Sequence, residues 1–231
     1  IDISAFEVNF KYQSIQMTCD EYVGFVEVAL TAYADDKRAS EMKAYLRGQF
    51  DFLGIQTPTR RLICKELPKP PKDPAFILRV ADKLWQQPER EYRYIACDLL
   101  AKHAKLFTTH DLPAFKRLIQ KDAWWDTVDS LSGAVGDIVL HEKQQGIDLQ
   151  TVMDAWLMDE DFWVRRSAMI HQLGWRLNTD KQRLSHYALT LSSEKEFFIR
   201  KAIGWAFRDY AKWQPEFVRR FMKKTARRFQ T

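Results

Sequence analysis

Apolar residues recur at helical spacing along most of the chain. The clearest case follows Thr18-Cys-Asp-Glu21, where a capping box precedes apolar side chains that return every three to four residues up to Tyr33. Comparable patterns predict helices over about 38–52, 57–67, 73–85, 89–105, 111–120, 123–141, 148–157, 161–176, 180–192, 195–211 and 215–228. Only residues 6–12 alternate in the way a strand does. The pattern therefore predicts an all-α protein.

Breaks between these helices are short. The stretch Lys69-Pro-Pro-Lys-Asp73 is the one clear linker, because consecutive prolines cannot continue a helix. Thr57-Pro58 and Asp73-Pro74 each offer a capping residue followed by proline, which is typical of a helix start. We therefore predict a single helical domain over residues 1–231, with 1–17 as an irregular N-terminal extension.

Two segments resemble each other at an offset of 35 residues: Phe162-Trp-Val-Arg-Arg-Ser-Ala168 and Phe197-Phe-Ile-Arg-Lys-Ala-Ile203. Carried backwards in steps of 35, 36 and 36, the offset gives one position per repeat, namely Arg200, Arg165, Asp129 and Arg93. Helical units of this period stack into HEAT-like α-solenoids, in which one helix of each unit lines a concave wall. The alternative is a chance alignment of helical patterns. If the repeat is real, Asp129 is the one acid in a row of arginines.

Composition narrows the class of protein. The 231 residues include only 8 Gly and 8 Pro, and 46% are hydrophobic and 29% charged, which excludes a turn-rich barrel and a disordered chain. No apolar run is long enough for a membrane span, and charges near the start argue against a signal peptide. The three cysteines form no CxxC pair and no disulfide framework. These features predict a soluble, cytoplasmic protein with no membrane partner.

Positive charge is concentrated towards the C-terminus. The net charge is +5, but residues 195–231 hold eleven Lys and Arg against three acids, so this segment carries +8 and the rest −3. A basic quarter on a nearly neutral body favours a polyanionic partner, most often nucleic acid. A solvated basic face without a partner is the alternative.

No standard cofactor or metal motif is present. The sequence has no phosphate-binding loop, HExxH, GxSxG or dinucleotide fingerprint, and its five histidines show no metal-ligand spacing with the cysteines. We therefore expect neither a metal nor an organic cofactor. The unusual segment is Ala123-Trp-Trp-Asp-Thr-Val-Asp-Ser130, where Trp125 and Asp129 lie four residues apart and share a helix face. Alternatively, Trp124 is core, Trp125 is partly buried and Asp129 caps a neighbouring helix.

The repeat adds cations and a second indole to this pair. Arg165 and Arg166 follow one repeat after Asp129, and Trp205 lies near the equivalent wall one repeat later. Arginines can anchor DNA phosphates, whereas a carboxylate between indole faces stabilises a positive charge. An alkylated DNA base carries such a charge, and cleavage of its glycosidic bond builds oxocarbenium character on the deoxyribose. We hypothesise that Asp129 stabilises that charge, or orients or deprotonates the attacking water.

These residues resemble the AlkD-like family of bacterial DNA alkylation repair glycosylases, which are built from HEAT-like repeats. The similarity runs from about residue 42 to 210, and its strongest blocks are Phe52-Leu-Gly-Ile-Gln-Thr-Pro58, Pro88-Glu-Arg-Glu91, Trp124-Trp-Asp-Thr-Val-Asp-Ser130 and Lys195-Glu-Phe-Phe-Ile-Arg-Lys-Ala-Ile-Gly-Trp205. The resemblance implies an α-solenoid with a concave DNA-binding surface. It also implies a monofunctional glycosylase that excises 7-methylguanine and 3-methyladenine from duplex DNA in base excision repair.

The resemblance assigns roles to single residues. Asp129 stands at the family's catalytic aspartate, and Trp125 and Trp205 stand at two aromatics that flank the lesion-bearing backbone. Arg166 stands at a phosphate-contacting arginine. Family members act on the deoxyribose without drawing the base into a pocket. The residues expected to bind DNA, from the resemblance and from the basic row and C-terminus, are Arg166, Arg165, Tyr45, Gln56, Arg200 and Lys201.

Two other functions stay open at the level of sequence. Some relatives of this fold have lost the active-site residues and bind DNA without cutting the glycosidic bond, so a non-catalytic protein for bent or branched DNA is the main alternative. The other is a helical-repeat scaffold with aromatic anchors for a protein partner. Because the acid, both indoles and the arginine are present, we expect an active enzyme that works as a monomer on duplex DNA with alkylated bases.

Overall fold

The computed structural model describes residues 17–147 and 150–226, and this part of the chain is almost entirely helical. Its α-helices are α1 (Cys19–Thr31), α2 (Asp36–Tyr45), α3 (Thr57–Glu66), α4 (Pro74–Trp85), α5 (Arg90–Lys102), α6 (Leu112–Gln120), α7 (Trp125–Gln144), α8 (Thr151–Leu157), α9 (Phe162–Ile170), α10 (Lys181–Thr190), α11 (Phe197–Ala211) and α12 (Pro215–Thr225). Four short 3-10 helices lie at Ala104–Leu106, Thr109–Asp111, Arg176–Asn178 and Leu191–Ser193. Within the described ranges, β structure is limited to one isolated bridge. The predicted all-α class is confirmed.

The helices stack in two layers. In the inner layer α5 packs on α7, α7 on α9, and α9 on α11, while α4, α6, α8 and α10 pack on them from outside. In chain order the units are the pairs α4–α5, α6–α7, α8–α9 and α10–α11. The two helices of each of the first three pairs pack on each other, whereas α10 packs on α9 and α12 packs on α11. This order is that of an α-solenoid, in which each unit contacts mainly its neighbours.

The units repeat in the register expected from the sequence. A buried apolar side chain recurs near the start of each inner helix, at Tyr92, Val128, Val164 and Ile199, with steps of 36, 36 and 35 residues. The residue that follows each of them belongs to the row Arg93, Asp129, Arg165 and Arg200. The period of these buried apolar positions therefore agrees with the predicted row.

The arginines of this row turn back towards the protein. Each donates to the backbone carbonyl of the residue six positions earlier, in the turn before its own helix. The donor–acceptor pairs are Arg93 with Gln87 at 3.1 Å, Arg165 with Asp159 at 2.6 Å, and Arg200 with Glu194 at 3.2 Å. They satisfy carbonyl groups that have no helical partner. The acid of the row, Asp129, points instead to the next unit.

The second predicted helix is wrong at its C-terminal end. The pattern predicts a helix to residue 52, but α2 ends at Tyr45 because Arg47 and Gly48 adopt left-handed backbone conformations, with φ of 58° and 74°. The Gly48 N–H donates to the Lys43 carbonyl at 2.8 Å, which closes the helix with a Schellman-type bond. Phe52, expected in this helix, lies in the connection to α3 and is buried.

The helix predicted over 161–176 also ends early. α9 stops at Ile170, and His171 begins a turn that leads to a 3-10 helix. Gly136 of α7 meets the His171 carbonyl so closely that a Cβ at position 136 would collide with it. The contact joins residues far apart in sequence, so the local pattern does not contain it. The other predicted helices lie within a few residues of their expected bounds.

A continuous apolar core separates the two layers. Its largest enclosed side chains include Trp85, Phe107, Phe115 and Tyr187. The indole of Trp85 donates to the Lys121 carbonyl at 3.1 Å, which links α4 to the next outer helix. No helix in the described ranges is long and apolar enough to cross a membrane. The alternating segment 6–12 and most of the expected N-terminal extension lie outside the described residues.

Candidate active site

An open cleft of about 380 Å³ lies where α7, α9 and α11 meet. Its lining residues are Trp125, Asp129, Arg166, Phe197, Phe198, Lys201, Trp205 and Arg208. The cleft brings together five residues singled out from the sequence, namely both candidate indoles, the acid, Arg166 and Lys201. The first two turns of α7 and α9 supply three of them, and one face of α11 supplies the others. Three successive units of the solenoid therefore build one site.

Asp129 and Arg166 form a two-bond ion pair between neighbouring units. Arg166 donates through Nε and Nη2 to the two carboxylate oxygens of Asp129, at 2.8 and 2.9 Å. Its Nη1 donates to the backbone carbonyl of Phe198, and the residue is only 4% exposed. Paired N–H···O bonds of this kind fix the plane of a carboxylate. Because Arg166 is engaged inside the protein, its phosphate contact stays a prediction.

Burial raises the pKa of Asp129 above the ordinary value of an aspartate. The hydrogen bonds and charge of Arg166 lower it, and the nearby Asp126 raises it, but burial is the largest influence and the net shift is upward. A carboxylate with little contact to water interacts more strongly with a positive charge that develops beside it. The site is therefore suited to stabilising a cation.

The two adjacent tryptophans have different environments. Trp124 is partly buried and packs against Phe198, with ring centroids 5.3 Å apart. Trp125 lines the cleft and meets Tyr45 edge to face at 6.0 Å. Trp205 also lines the cleft and is 40% exposed. Trp124 thus packs against the core without lining the cleft, and the two indoles that line the cleft are Trp125 and Trp205.

A buried cluster that the sequence analysis missed holds the start of α7. Arg90 is fully buried and donates through Nε and Nη2 to the carboxylate of Asp126, at 3.0 and 2.7 Å. It also donates to the Asp122 carbonyl and the Thr127 hydroxyl, both at 2.9 Å. The Tyr94 hydroxyl donates to the same Asp126 carboxylate at 2.6 Å. These bonds fix the turn that carries Trp125 and Asp129.

One face of α11 forms the far wall of the cleft. Phe197, Lys201, Trp205 and Arg208 follow one another at steps of four, four and three residues, so they share this face. The Lys201 ammonium lies 5.3 Å from the centre of the Phe197 ring. Sequence reasoning missed Phe197, Phe198 and Arg208. The helical spacing from Trp205 was the signal that could have found Phe197 and Arg208.

Tyr45 and Gln56 lie in a neighbouring cleft of about 470 Å³. Trp125 lines both clefts and so separates them. The second cleft also contains Arg60 and Asp98, which form an ion pair at 3.0 Å. Tyr45 and Gln56 are exposed beside the Asp129 cleft without lining it, and their DNA contacts stay predictions.

Arg165 and Arg200 lie outside the Asp129 cleft. Arg165 donates through Nε and Nη2 to the carboxylate of Glu194, at 2.7 and 2.9 Å. Arg200 is exposed and donates to the Glu194 carbonyl. Both arginines bind Glu194 and so help to fix the turn before α11, Arg165 from α9 and Arg200 from α11. Their predicted binding to DNA is untested, and Lys201 is the member of this basic group that lines the cleft.

Other titratable groups in the described part of the chain offer little chemistry. Burial lowers the pKa of His171 to about 4 and raises that of the Cys97 thiol to about 12, so both are neutral at physiological pH. Across residues 17–147 and 150–226, no cluster of three or more His, Cys, Asp or Glu side chains could hold a metal ion. Asp129 is thus the acid that a ligand in the cleft would meet.

The sequence was compared with models of protein families and with known proteins. The model described as DNA alkylation repair enzyme matches residues 26–231. The chain belongs to this family. The resemblance inferred from the sequence blocks is therefore confirmed. A search of curated proteins returned no match.

Solved structures of similar proteins also support the fold. A protein described as a predicted DNA alkylation repair enzyme from Enterococcus faecalis shares 31% identity, covers 86% of this chain and 95% of its own, and has a TM-score of 0.75. AlkD2 from Streptococcus mutans shares 19% identity over 80% of this chain and 89% of its own, with a TM-score of 0.56. The smu.31 protein from Streptococcus mutans UA159 shares 20% identity over 71% of this chain and 80% of its own, with a TM-score of 0.54. The last two support the fold alone.

Proposed function

We propose that the protein is a monofunctional DNA glycosylase that hydrolyses the N-glycosidic bond of positively charged alkylated purines in duplex DNA. Substrates of this class include 7-methylguanine and 3-methyladenine. The observation that carries the proposal is the Asp129 carboxylate, which is largely buried, held by two bonds from Arg166, and open to a cleft that Trp125 and Trp205 also line. Membership of the DNA alkylation repair enzyme family supports a role in base excision repair.

The proposed reaction needs one carboxylate and one water molecule. The bond between C1′ and the base nitrogen breaks, and the base leaves with the bonding electrons, which neutralise its positive charge. The deoxyribose develops oxocarbenium character, and the Asp129 carboxylate stabilises it across the cleft. Water then forms a bond to C1′ and loses a proton to Asp129 or to solvent, which leaves an abasic sugar and a neutral base.

The cationic state of the lesion explains why the cleft lacks an obvious general acid. An uncharged purine is a poor leaving group and needs a proton, whereas a purine alkylated at a ring nitrogen already carries the charge that the proton would supply. The residues lining the cleft are consistent with this, since its cations Lys201 and Arg208 are suited to phosphates rather than to protonating a base. We therefore expect selectivity for charged lesions over uncharged ones.

The proposal is tested by release of free base from a duplex that contains 7-methylguanine. We expect base release without strand cleavage, and no covalent adduct when borohydride is added, because water and not Lys201 attacks the sugar. A duplex with an uncharged alkylated base at the same place is the matched control and should remain intact. Absence of base release, together with salt-sensitive binding to DNA, would replace this function with non-catalytic binding of bent or branched DNA.

The fall of the excision rate at low pH is expected to reflect protonation of the Asp129 carboxylate. The ionised carboxylate is the active form, and burial raises its pKa, so excision should fall as pH decreases through a midpoint above the usual range of aspartate. In Arg166→Gln, the guanidinium that lowers this pKa is absent, and the midpoint should move to higher pH. Single-turnover rates at saturating enzyme, measured from pH 4 to pH 8, check both expectations. An acid midpoint unchanged by Arg166→Gln would contradict the assignment.

We also propose that duplex DNA lies along the inner layer, with the lesion strand at the Asp129 cleft. The exposed cations Lys201 and Arg208 flank Trp205 on α11 and are placed to meet its phosphates. Because the three units that contribute to the cleft belong to one chain, the site is complete in a monomer. A monomeric repair enzyme fits these features, and its cytoplasmic location stays a prediction from the sequence.

A further inference from the structure

A second, basic cleft lies further along the inner layer. Its volume is about 430 Å³, and it is built by the C-terminal end of α5, the linker before α4 and the later part of α7. Its polar lining includes Lys72, Lys102, His103, Lys105, Asp137 and His141. Neither the sequence motifs nor the proposed chemistry at Asp129 gives this cleft a role.

The charge of this cleft is suited to a polyanion. Its three lysines outweigh Asp137, and these four side chains together carry +2. None of these lysines forms a salt bridge with another described residue, although Lys105 is close enough to Asp137 to lower its pKa against the effect of burial. Lys72 and Lys102 come from different segments, and both are exposed. Lysines without partners that converge on a cleft are available to phosphate oxygens.

The two clefts are related by the geometry of α7. Gly133 and Asp137 are exposed and follow Asp129 at intervals of four residues, so the open side of the helix leads from one cleft to the other. Eight residues of α-helix rise about 12 Å. The major groove of B-DNA is also about 12 Å wide. A duplex whose damaged strand lies at Asp129 would therefore place its other backbone near the lysines.

We propose that the basic cleft binds backbone phosphates of the undamaged strand, across one groove from the lesion. This inference rests on the proposed function for the position of the damaged strand. The cleft holds the duplex in register while the Asp129 site acts on the sugar. Asp137 opposes the phosphates at this cleft and limits the affinity.

Neutralising the cleft tests the proposal. Each lysine–phosphate contact contributes about 0.9 to the slope of log K against log salt. Lys102→Gln/Lys105→Gln should therefore lower that slope by about 2 and weaken binding to a duplex with a tetrahydrofuran abasic analogue at the lesion. Arg79→Gln/Lys181→Gln removes the same charge from exposed positions on the outer helices α4 and α10, and should leave the slope unchanged. Equal slopes for the cleft variant and the wild type would overturn the proposal.

Asp137→Asn tests the proposal through a gain of affinity, which a loss of structure would not produce. Removing this negative charge should tighten binding and steepen the salt dependence, since the lysines then act without opposition. Weaker or unchanged binding by Asp137→Asn would contradict the proposal.

Neutral methylphosphonate linkages identify the strand. Placed on the undamaged strand across the groove, they should weaken binding by the wild type but have little effect on Lys102→Gln/Lys105→Gln. If instead methylphosphonates on the damaged strand weaken binding by the wild type but not by Lys102→Gln/Lys105→Gln, the strand assignment is wrong. Failure of the proposed function gives a different result. If the protein binds DNA through these lysines but releases no base, the phosphate-binding role of the cleft stands and the glycosylase function is wrong.

Discussion

Asp129→Asn is expected to reduce the single-turnover rate of 7-methylguanine release by at least about 10²–10³-fold, the usual effect of removing one preorganised electrostatic group from an active site. The amide is nearly the same size as the carboxylate and can still accept a bond from Arg166, so the cleft should keep its shape. It cannot, however, neutralise the charge that develops on the deoxyribose. Duplex binding should remain within a fewfold of the wild type.

Asp82→Asn is the matched control for this experiment. Asp82 also pairs with an arginine of the next unit, Arg117, at 3.3 Å, but on the outer layer. It should retain full base release, which separates the loss of a catalytic charge from the loss of an ion pair between units. Base release by Asp129→Asn at the wild-type rate would remove Asp129 from the mechanism.

Arg90→Met is expected to lower the free energy of unfolding by about 3–5 kcal/mol, because it leaves the buried Asp126 carboxylate without its cation. Arg90 is fully buried, and its ion pair with Asp126 is almost completely enclosed. Tyr94→Phe removes one hydrogen bond to the same carboxylate and should have a smaller effect, about 1.5–3 kcal/mol. Urea unfolding followed by tryptophan fluorescence and circular dichroism measures both changes.

Arg117→Met supplies the comparison for these stability measurements. Its ion pair with Asp82 joins the same two units, but both side chains are largely exposed, so removal should cost about 1 kcal/mol or less. The expected order of destabilisation is Arg90→Met, then Tyr94→Phe, then Arg117→Met. If Arg90→Met and Arg117→Met destabilise the protein equally, burial does not govern the strength of these pairs.

Local signals in the sequence were sufficient to predict a helix end where the residues at that end determine it. The capping box at Thr18 and the Asp73-Pro74 start both appear as predicted. Helix ends set by contacts between distant residues could not be predicted. α9 stops where Gly136 meets the His171 carbonyl, and nothing near residue 170 records that contact.

The same division applies to the candidate site. Helical spacing and the repeat predict that Trp125, Asp129 and Trp205 share a wall, and the structure brings all three to one cleft. Neither the helical spacing nor the repeat period predicts which carboxylate an arginine side chain will bind. Arg165 turns to Glu194, whereas Arg166, the next residue, turns to Asp129. That choice depends on side-chain direction and on the packing of adjacent units.

The division of the cleft among three successive units limits how this chain can change in length. Asp129 comes from the α6–α7 unit, Arg166 from α8–α9 and Trp205 from α10–α11. Units added before α4 would extend the solenoid and leave the cleft intact, since each unit contacts mainly its neighbours. Insertion or loss of a single unit between α7 and α11 would separate the carboxylate from its arginine or from the second indole. Duplication of units is therefore tolerable only on the N-terminal side of the site or after α12.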